Sequence, residues 1–251
     1  MAKQSRKHRG RVVLAADAGS YSVTSVNLAV AMAASAGSLL QGLFVEDEDL
    51  LQITGLPCSR EITLTTATER STSSEQMQRS LRLVAHQFRQ TLQQQAQAFQ
   101  VSWRFDTLRG RVQDVGLQPA SDVTYTILAN PSAQRLRSTR PQLARKILLL
   151  GDTSKALELA LKMLIERYGH ENIELTLVAN EPGDGKKSGE GRWRRQYGHR
   201  ITLVGLPLQE LLTRLGQRRA DFDFAILAGY DRDEDKALLV KALRCPIILI
   251  A

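Results

Sequence analysis

Short, unbroken apolar runs alternating with amphipathic helical stretches constrain this chain more than any other feature. Residues 12–16 form such a run, as a strand buried on both faces requires. It ends in the turn Asp17-Ala18-Gly19-Ser20. A helical stretch follows, with Val23, Val26, Val30 and Ala33 at spacings of three and four, closed by Gly37. Residues 39–45 form the next run. Residues 75–99 read as a long amphipathic helix, with Met77, Leu81, Val84, Phe88, Leu92 and Phe99 on one side and many Gln on the other. Strands are expected at 101–108 and 125–129. The pattern restarts at Lys146, with strands at 147–150, 173–179, 201–204, 224–228 and 246–250. Helices lie between them, marked by Leu157, Leu161 and Leu164, then by Leu208, Leu211, Leu212 and Leu215, then by residues 234–243.

This alternation predicts an α/β fold: open, mostly parallel sheets with helices on both faces and right-handed crossovers. Ligands of such sheets bind at the carboxyl ends of strands, where the strand order reverses. In this sequence those positions are Asp17 to Ser20, Val45 to Asp47, Asn130 and Gly229.

The two halves can be laid on each other. Asp122-Val-Thr-Tyr-Thr-Ile-Leu-Ala-Asn130 and Asp221-Phe-Asp-Phe-Ala-Ile-Leu-Ala-Gly229 share Asp, an aromatic and Ile-Leu-Ala in one register, and Asp17 matches Asp152. The first half holds extra residues between these landmarks, in the Gln-rich helical region. An internal duplication accounts for this. It divides the chain into a basic tail (1–11), a first domain (12–141) and a shorter second domain (142–251). The pattern leaves open whether residues 146–150 close the first sheet or open the second.

Charge is uneven. Lys plus Arg is 34 and Asp plus Glu is 26, a net +8. Residues 1–11 carry Lys3, Arg6, Lys7, Arg9 and Arg11 without an acid. A second group contains Arg135, Arg137 and Arg140, and a third Lys186, Lys187, Arg194 and Arg195. These are solvated tails and loops or an electrostatic footprint for nucleic acid or another anion. Aromatic residues are sparse among them, with only Trp193 and Tyr197 in the third group, so stacking platforms for single strands are few.

Signs of catalysis and metal binding are lacking. Cys58 and Cys245 cannot build a disulfide framework and sit in no metal-ligand spacing, which fits a reduced, cytoplasmic setting. No run approaches the ~18 apolar residues of a membrane span, and the basic N-terminus lacks a signal-like apolar stretch. His8, His86, His170 and His199 form no HExxH motif, and no GxSxG elbow surrounds a serine. Gly183-Asp-Gly-Lys-Lys-Ser188 lacks the glycine spacing and the magnesium-binding hydroxyl of a phosphate loop. Glu46-Asp47-Glu48-Asp49 and the acidic run from Asp231 to Asp235 suit helix N-termini better than cation sites. Asp17 serves as a cap, as a ligand contact, or as both.

Four stretches carry a resemblance. They are Val12-Val-Leu-Ala-Ala-Asp-Ala-Gly-Ser20; Leu43-Phe-Val-Glu-Asp-Glu-Asp-Leu50 with Gly55-Leu-Pro57 and Arg60-Glu61; the Asp-x-x-aromatic strand of each half; and Arg244-Cys-Pro-Ile-Ile-Leu-Ile250. Together they cover most of the chain, and it resembles the universal stress protein family in its tandem form. The second stretch looks much like many bacterial members.

That resemblance implies two adenine-nucleotide-alpha-hydrolase-like open sheets and a choice between ATP-binding and non-binding classes. In binders, an Asp after the first strand and backbone groups after the second hold adenosine, and a glycine-rich G-x2-G-x9-G-[ST] segment wraps the phosphates. Asp17, Gly19, Ser20, Val45, Asp152 and Gly229 are the matching pocket positions. The phosphate cradle does not match. No glycine occurs from Leu117 to Leu150, and Asn130-Pro131 stands where the first would be. After Gly229 come Asp231, Asp233, Glu234 and Asp235, and no further glycine.

The expected protein is therefore a non-enzymatic, cytoplasmic, universal-stress-like regulator acting through contacts with an unnamed protein. No cofactor, metal or catalytic residue is expected. Its halves would form a pseudo-dimer within one chain, able to associate further as a homodimer. It would not be an integral membrane protein. Two alternatives stay open: an ATP or other adenine-nucleotide binder with at most slow hydrolysis, and a nucleic-acid binder using the tail and basic groups.

Overall fold

Uninterrupted apolar strands are stable only when covered on both faces, and two units of this chain provide the cover, Met1–Gln118 and Pro119–Ala251. The computed structural model describes residues 10–54, 56, 60–63, 68–71, 73–117, 123–129, 145–151, 154–168, 173–179, 201–205, 208–217, 222–229, 233–243 and 245–250.

In the first unit, β1 (Arg11–Ala16), β2 (Leu39–Asp47) and β5 (Trp103–Gly110) form a parallel sheet in the order β5-β2-β1. The connections are α1 (Val23–Ala36) and a longer excursion through α2 (Glu48–Thr54), the antiparallel hairpin β3 (Arg60–Thr63) and β4 (Thr68–Ser71), and α3 (Ser74–Ala98). Both crossovers step the same way along the sheet, so right-handed connection puts α1 and α3 on one face, where they pack together. Leu81, Phe88, Leu92 and Ala96 form the buried side of α3. Phe88 meets the ring of Phe105 edge-on at 5.3 Å and the ring of Tyr21 at 5.2 Å. Phe105 therefore faces α3, and strand alternation turns its neighbours Arg104 and Asp106 to the other face. There Gln41 Nε2 donates to Asp106 at 2.7 Å and Arg104 donates to Gln41 Oε1 at 2.8 Å, in solvent. A short helix, α4 (Val112–Gly116), follows β5.

In the second unit, β6 (Val123–Leu128), β7 (Arg145–Gly151), β8 (Ile173–Ala179), β9 (Ile201–Gly205), β10 (Phe224–Ala228) and β11 (Ile247–Ile250) run in the order β6-β11-β10-β7-β8-β9. All neighbours are parallel except β6, which is antiparallel to β11. β7 pairs with both β8 and β10, so residues 146–150 belong to this sheet and lie at its middle. From β7 the chain steps outward through α5 (Ser154–Tyr168) to β8. It returns from β9 through α6 (Leu208–Gln217) to β10, and continues through α7 (Asp233–Ala242) to β11. Right-handed crossovers place α5 on one face and α6 and α7, which pack together, on the other. The order reverses between β7 and β10. Ile147, Leu148, Leu149 and Leu150 are buried, as is every residue of β10.

The expected strands and helices are present within a residue or two. Two expected core positions are not. Val23, in the first turn of α1, is 52% exposed, and Phe99 is 58% exposed. Phe99 is the C-cap of α3 rather than part of its apolar stripe, because the helix stops at Ala98. The stop is a Schellman motif: Gln100 takes φ 55°, its N–H donates to Gln97 O at 3.1 Å, and Val101 N–H donates to Ala96 O at 2.8 Å. α1 ends the same way, with Gly37 at φ 58° donating to Ala34 O and Ser38 donating to Ala33 O.

Two identical caps with different residues make a matched test. Gln100 pays the left-handed strain that Gly37 avoids. In urea denaturation, Gln100→Gly should raise stability by about 1 kcal/mol and Gly37→Ala should lower it by about the same amount.

Candidate functional site

The carboxyl edge of the first sheet is built from the ends of β1, β2 and β5. β1 gives way to a turn in which Oδ1 of Asp17 accepts from the amides of Gly19 at 2.8 Å and Ser20 at 2.7 Å. The backbone amide of Asp17 donates in return to Ser20 Oγ at 2.9 Å, which satisfies a hydroxyl that is otherwise buried. Asp17 thus closes its own turn, and the cap of α1 is Ser22, whose side chain accepts from Ser25 N. Tyr21 anchors the turn to α3, its hydroxyl 2.7 Å from Thr91 Oγ1 and its ring against Phe88.

Register brings the second expected position alongside. Ala16 pairs with Phe44, so Val45 lies one residue past the end of the β1–β2 ladder. The whole residue is buried, backbone and side chain alike, so Val45 presents no group to a ligand. The acidic run that follows is engaged locally. Asp47 Oδ1 caps α2 through the amides of Asp49 at 3.0 Å and Leu50 at 3.3 Å. Arg109 donates to Glu46 Oε2 at 3.3 Å, as the β2–β5 register places them opposite each other. Arg111 grips Asp49 with two bonds, 2.9 and 3.0 Å. Hydrogen bonding to Asp49, then its charge, hold the Arg111 guanidinium above its ordinary pKa. Arg109 and Arg111 were missed by sequence reasoning. The available signal was their position at the end of an expected strand, flanking Gly110.

In the second unit, Gly151 pairs with Ala228, so the chain leaves β7 and β10 side by side where the strand order reverses. Gly229 follows at φ 72°. A Cβ on Gly151 would sit 2.2 Å from Leu157 Cδ2, so glycine there permits α5 to lie against the strand end. Asp152, the basic residues Arg135, Arg137, Arg140, Lys186, Lys187, Arg194 and Arg195, and Cys58 lie outside the described residues. Asp233, Glu234 and Asp235 occupy the first turn of α7, and Lys236 Nζ is 3.3 Å from Asp233 Oδ1. His86 is exposed on α3. Among the described residues, no group of three or more His, Cys, Asp and Glu could hold a metal ion, and no helix is long and apolar enough to cross a membrane.

Among solved structures, the chain is similar to a universal stress protein from Archaeoglobus fulgidus DSM 4304. They share 12% identity over 97% of this chain and 96% of the other, with a TM-score of 0.50. A functionally unknown protein from Pseudomonas aeruginosa PAO1 aligns over 97% of this chain and 92% of its own at 12% identity, with a TM-score of 0.43. No protein-family model and no curated protein matches the sequence. The first likeness establishes the fold: a mostly parallel α/β architecture of the universal-stress-protein kind.

The turn chemistry separates two roles for Asp17. Asp17→Ala removes the acceptor of two amides and should cost about 1–2 kcal/mol, while Asp17→Asn keeps Oδ1 and should cost less than about half of that in urea denaturation. Cys245 yields a pH prediction. Burial pushes its thiol up to about 12 from an ordinary 9.0. Above pH 9 the unfolded chain releases this proton and the folded chain does not, so stability falls as pH rises. Between pH 8 and pH 10 the wild type should lose about 1.4 kcal/mol more than Cys245→Ala, measured by denaturation at each pH.

Proposed function

We propose that this chain is a non-enzymatic universal-stress-like protein of the cytosol, regulating through contacts with a protein partner, in which family-type ATP binding has been lost. The observation that carries the reading is the closure of the first unit's ligand edge on itself. The amides of Gly19 and Ser20 already bond Oδ1 of Asp17, so these donors at the strand end are taken up within the turn. At the end of the neighbouring strand Glu46 and Asp49 are taken up by Arg109 and Arg111, and Asp47 by the amides of α2, so this part of the edge is engaged within the chain as well. The absence of glycine from Leu117 to Leu150 supports the same conclusion, because backbone amides cannot approach phosphate oxygens past side chains. The regulatory role is drawn by analogy from the scaffold, since a fold by itself fixes no function.

A second reading, adenine-nucleotide binding by the second unit, draws on one observation. Gly229 leaves the chain without a side chain just past the end of β10, beside the end of β7, the place where open α/β sheets bind ligands.

Isothermal titration of the full chain with ATP and magnesium separates the two. The first reading expects no saturable heat up to about 1 mM ATP, an affinity weaker than about −4 kcal/mol. A micromolar Kd that Gly229→Val abolishes would replace it with the second.

A further inference from the structure

The solvent side of α3 carries a charge pattern that neither its packing nor the proposed role uses. From Gln76 to Phe105 the chain has no Asp or Glu. The buried side of α3 is fixed by Leu81, Phe88, Leu92 and Ala96. Along one flank of the exposed surface Arg79, Arg82, His86, Arg89 and Gln93 succeed one another at steps of three or four residues. At the helical rise, Arg79 and Arg89 stand about 15 Å apart along the axis, with Arg82 and His86 between them. Arg79 lies 3.9 Å from Glu75, both in water; among the described residues Arg82 and Arg89 form no ion pair. A parallel strip beside this line holds Gln87, Gln90 and Gln94, also exposed.

We propose that this face of α3 binds the sugar–phosphate backbone of double-stranded nucleic acid without reading its sequence. The charge sign requires an anionic occupant. The absence of an apolar seam selects which one. A protein helix docking here would need apolar burial, and the face offers only Leu83, with Phe99 past its last turn. Phosphate binding needs no such seam, because it draws its free energy from released counterions. Arginine forks and glutamine amides suit phosphate and sugar oxygens. The helix, Ser74–Ala98, is about 37 Å long, close to the ~34 Å of one duplex turn. The net charge of +8 adds long-range attraction for the same partner.

The test is fluorescence anisotropy of the full chain with a labelled DNA duplex of about 20 base pairs and arbitrary sequence, in salt from about 50 to 200 mM. Binding should weaken as salt rises, and a duplex of scrambled sequence should bind equally. Arg82→Gln with Arg89→Gln should weaken binding about tenfold at low salt and lower the log–log salt slope by about 2. Arg82→Lys with Arg89→Lys, which keeps the charge, should restore both, which excludes misfolding as the cause. The proposal is overturned if the full chain does not bind the duplex at low salt, or if the glutamine variant keeps the wild-type affinity and slope. It is equally overturned, in favour of an acidic protein, if a polyglutamate peptide binds these arginines more tightly than the duplex does.

Discussion

The carboxylate of Asp17, folded back on the amides of Gly19 and Ser20, decides how β1 becomes α1. A strand buried on both faces delivers its end to the sheet edge with its backbone donors facing out, and something must satisfy them. Here the chain does so itself within three residues. Ser20 can be buried because its hydroxyl receives the Asp17 amide, and Tyr21 can then cross to Thr91 and Phe88. Ser22 is left to cap α1. Each step depends on the one before, so the turn is a structural unit whose polar groups are committed to one another. An external ligand would have to compete with bonds whose partners are already in place.

The two carboxyl edges take different chemical forms. In the first unit the edge is dressed with side chains: Glu46 with Arg109, Asp49 with Arg111, Asp47 on the amides of α2. Exposed pairs of this kind add little stability, so their main consequence is to leave few unengaged charges at the strand ends. In the second unit Gly229 carries no side chain at the edge, while the space beside Gly151 is filled by Leu157. The fold accommodates both, since the buried strands set the architecture and the loops after them are free to vary.

What could be read in advance followed from burial. Leu149, Ile226 and Val12 sit in strands that must be apolar throughout, and Leu81, Phe88 and Leu92 mark a helix with one wet side, so period and composition locate them. The hairpin Arg60–Thr63 with Thr68–Ser71 showed no such mark. Four-residue strands rich in threonine and charge carry no apolar period, and they form because they pair with each other. Phe99 misled for a related reason: its spacing fits the stripe of α3, but the helix unwinds one residue earlier. The site shows the same division. Asp17 and Val45 were visible from their place after apolar runs. The partners of Arg109 and Arg111 are some sixty residues away in sequence, and only the β2–β5 register brings them near.

Taken alone, the sequence determined the class of fold, the order of its elements and the residues that begin each strand-end turn. These follow from local periodicity and from the solvation of groups a few residues apart. Tertiary structure decided the rest. It placed residues 146–150 in the middle of the second sheet, turned β6 antiparallel to β11, committed the Asp17 carboxylate to its own turn and exposed a line of arginines along α3. Those outcomes rest on which strand finds which neighbour and which helix side meets the sheet. Both are settled by contacts between residues far apart along the chain, and no local pattern encodes them.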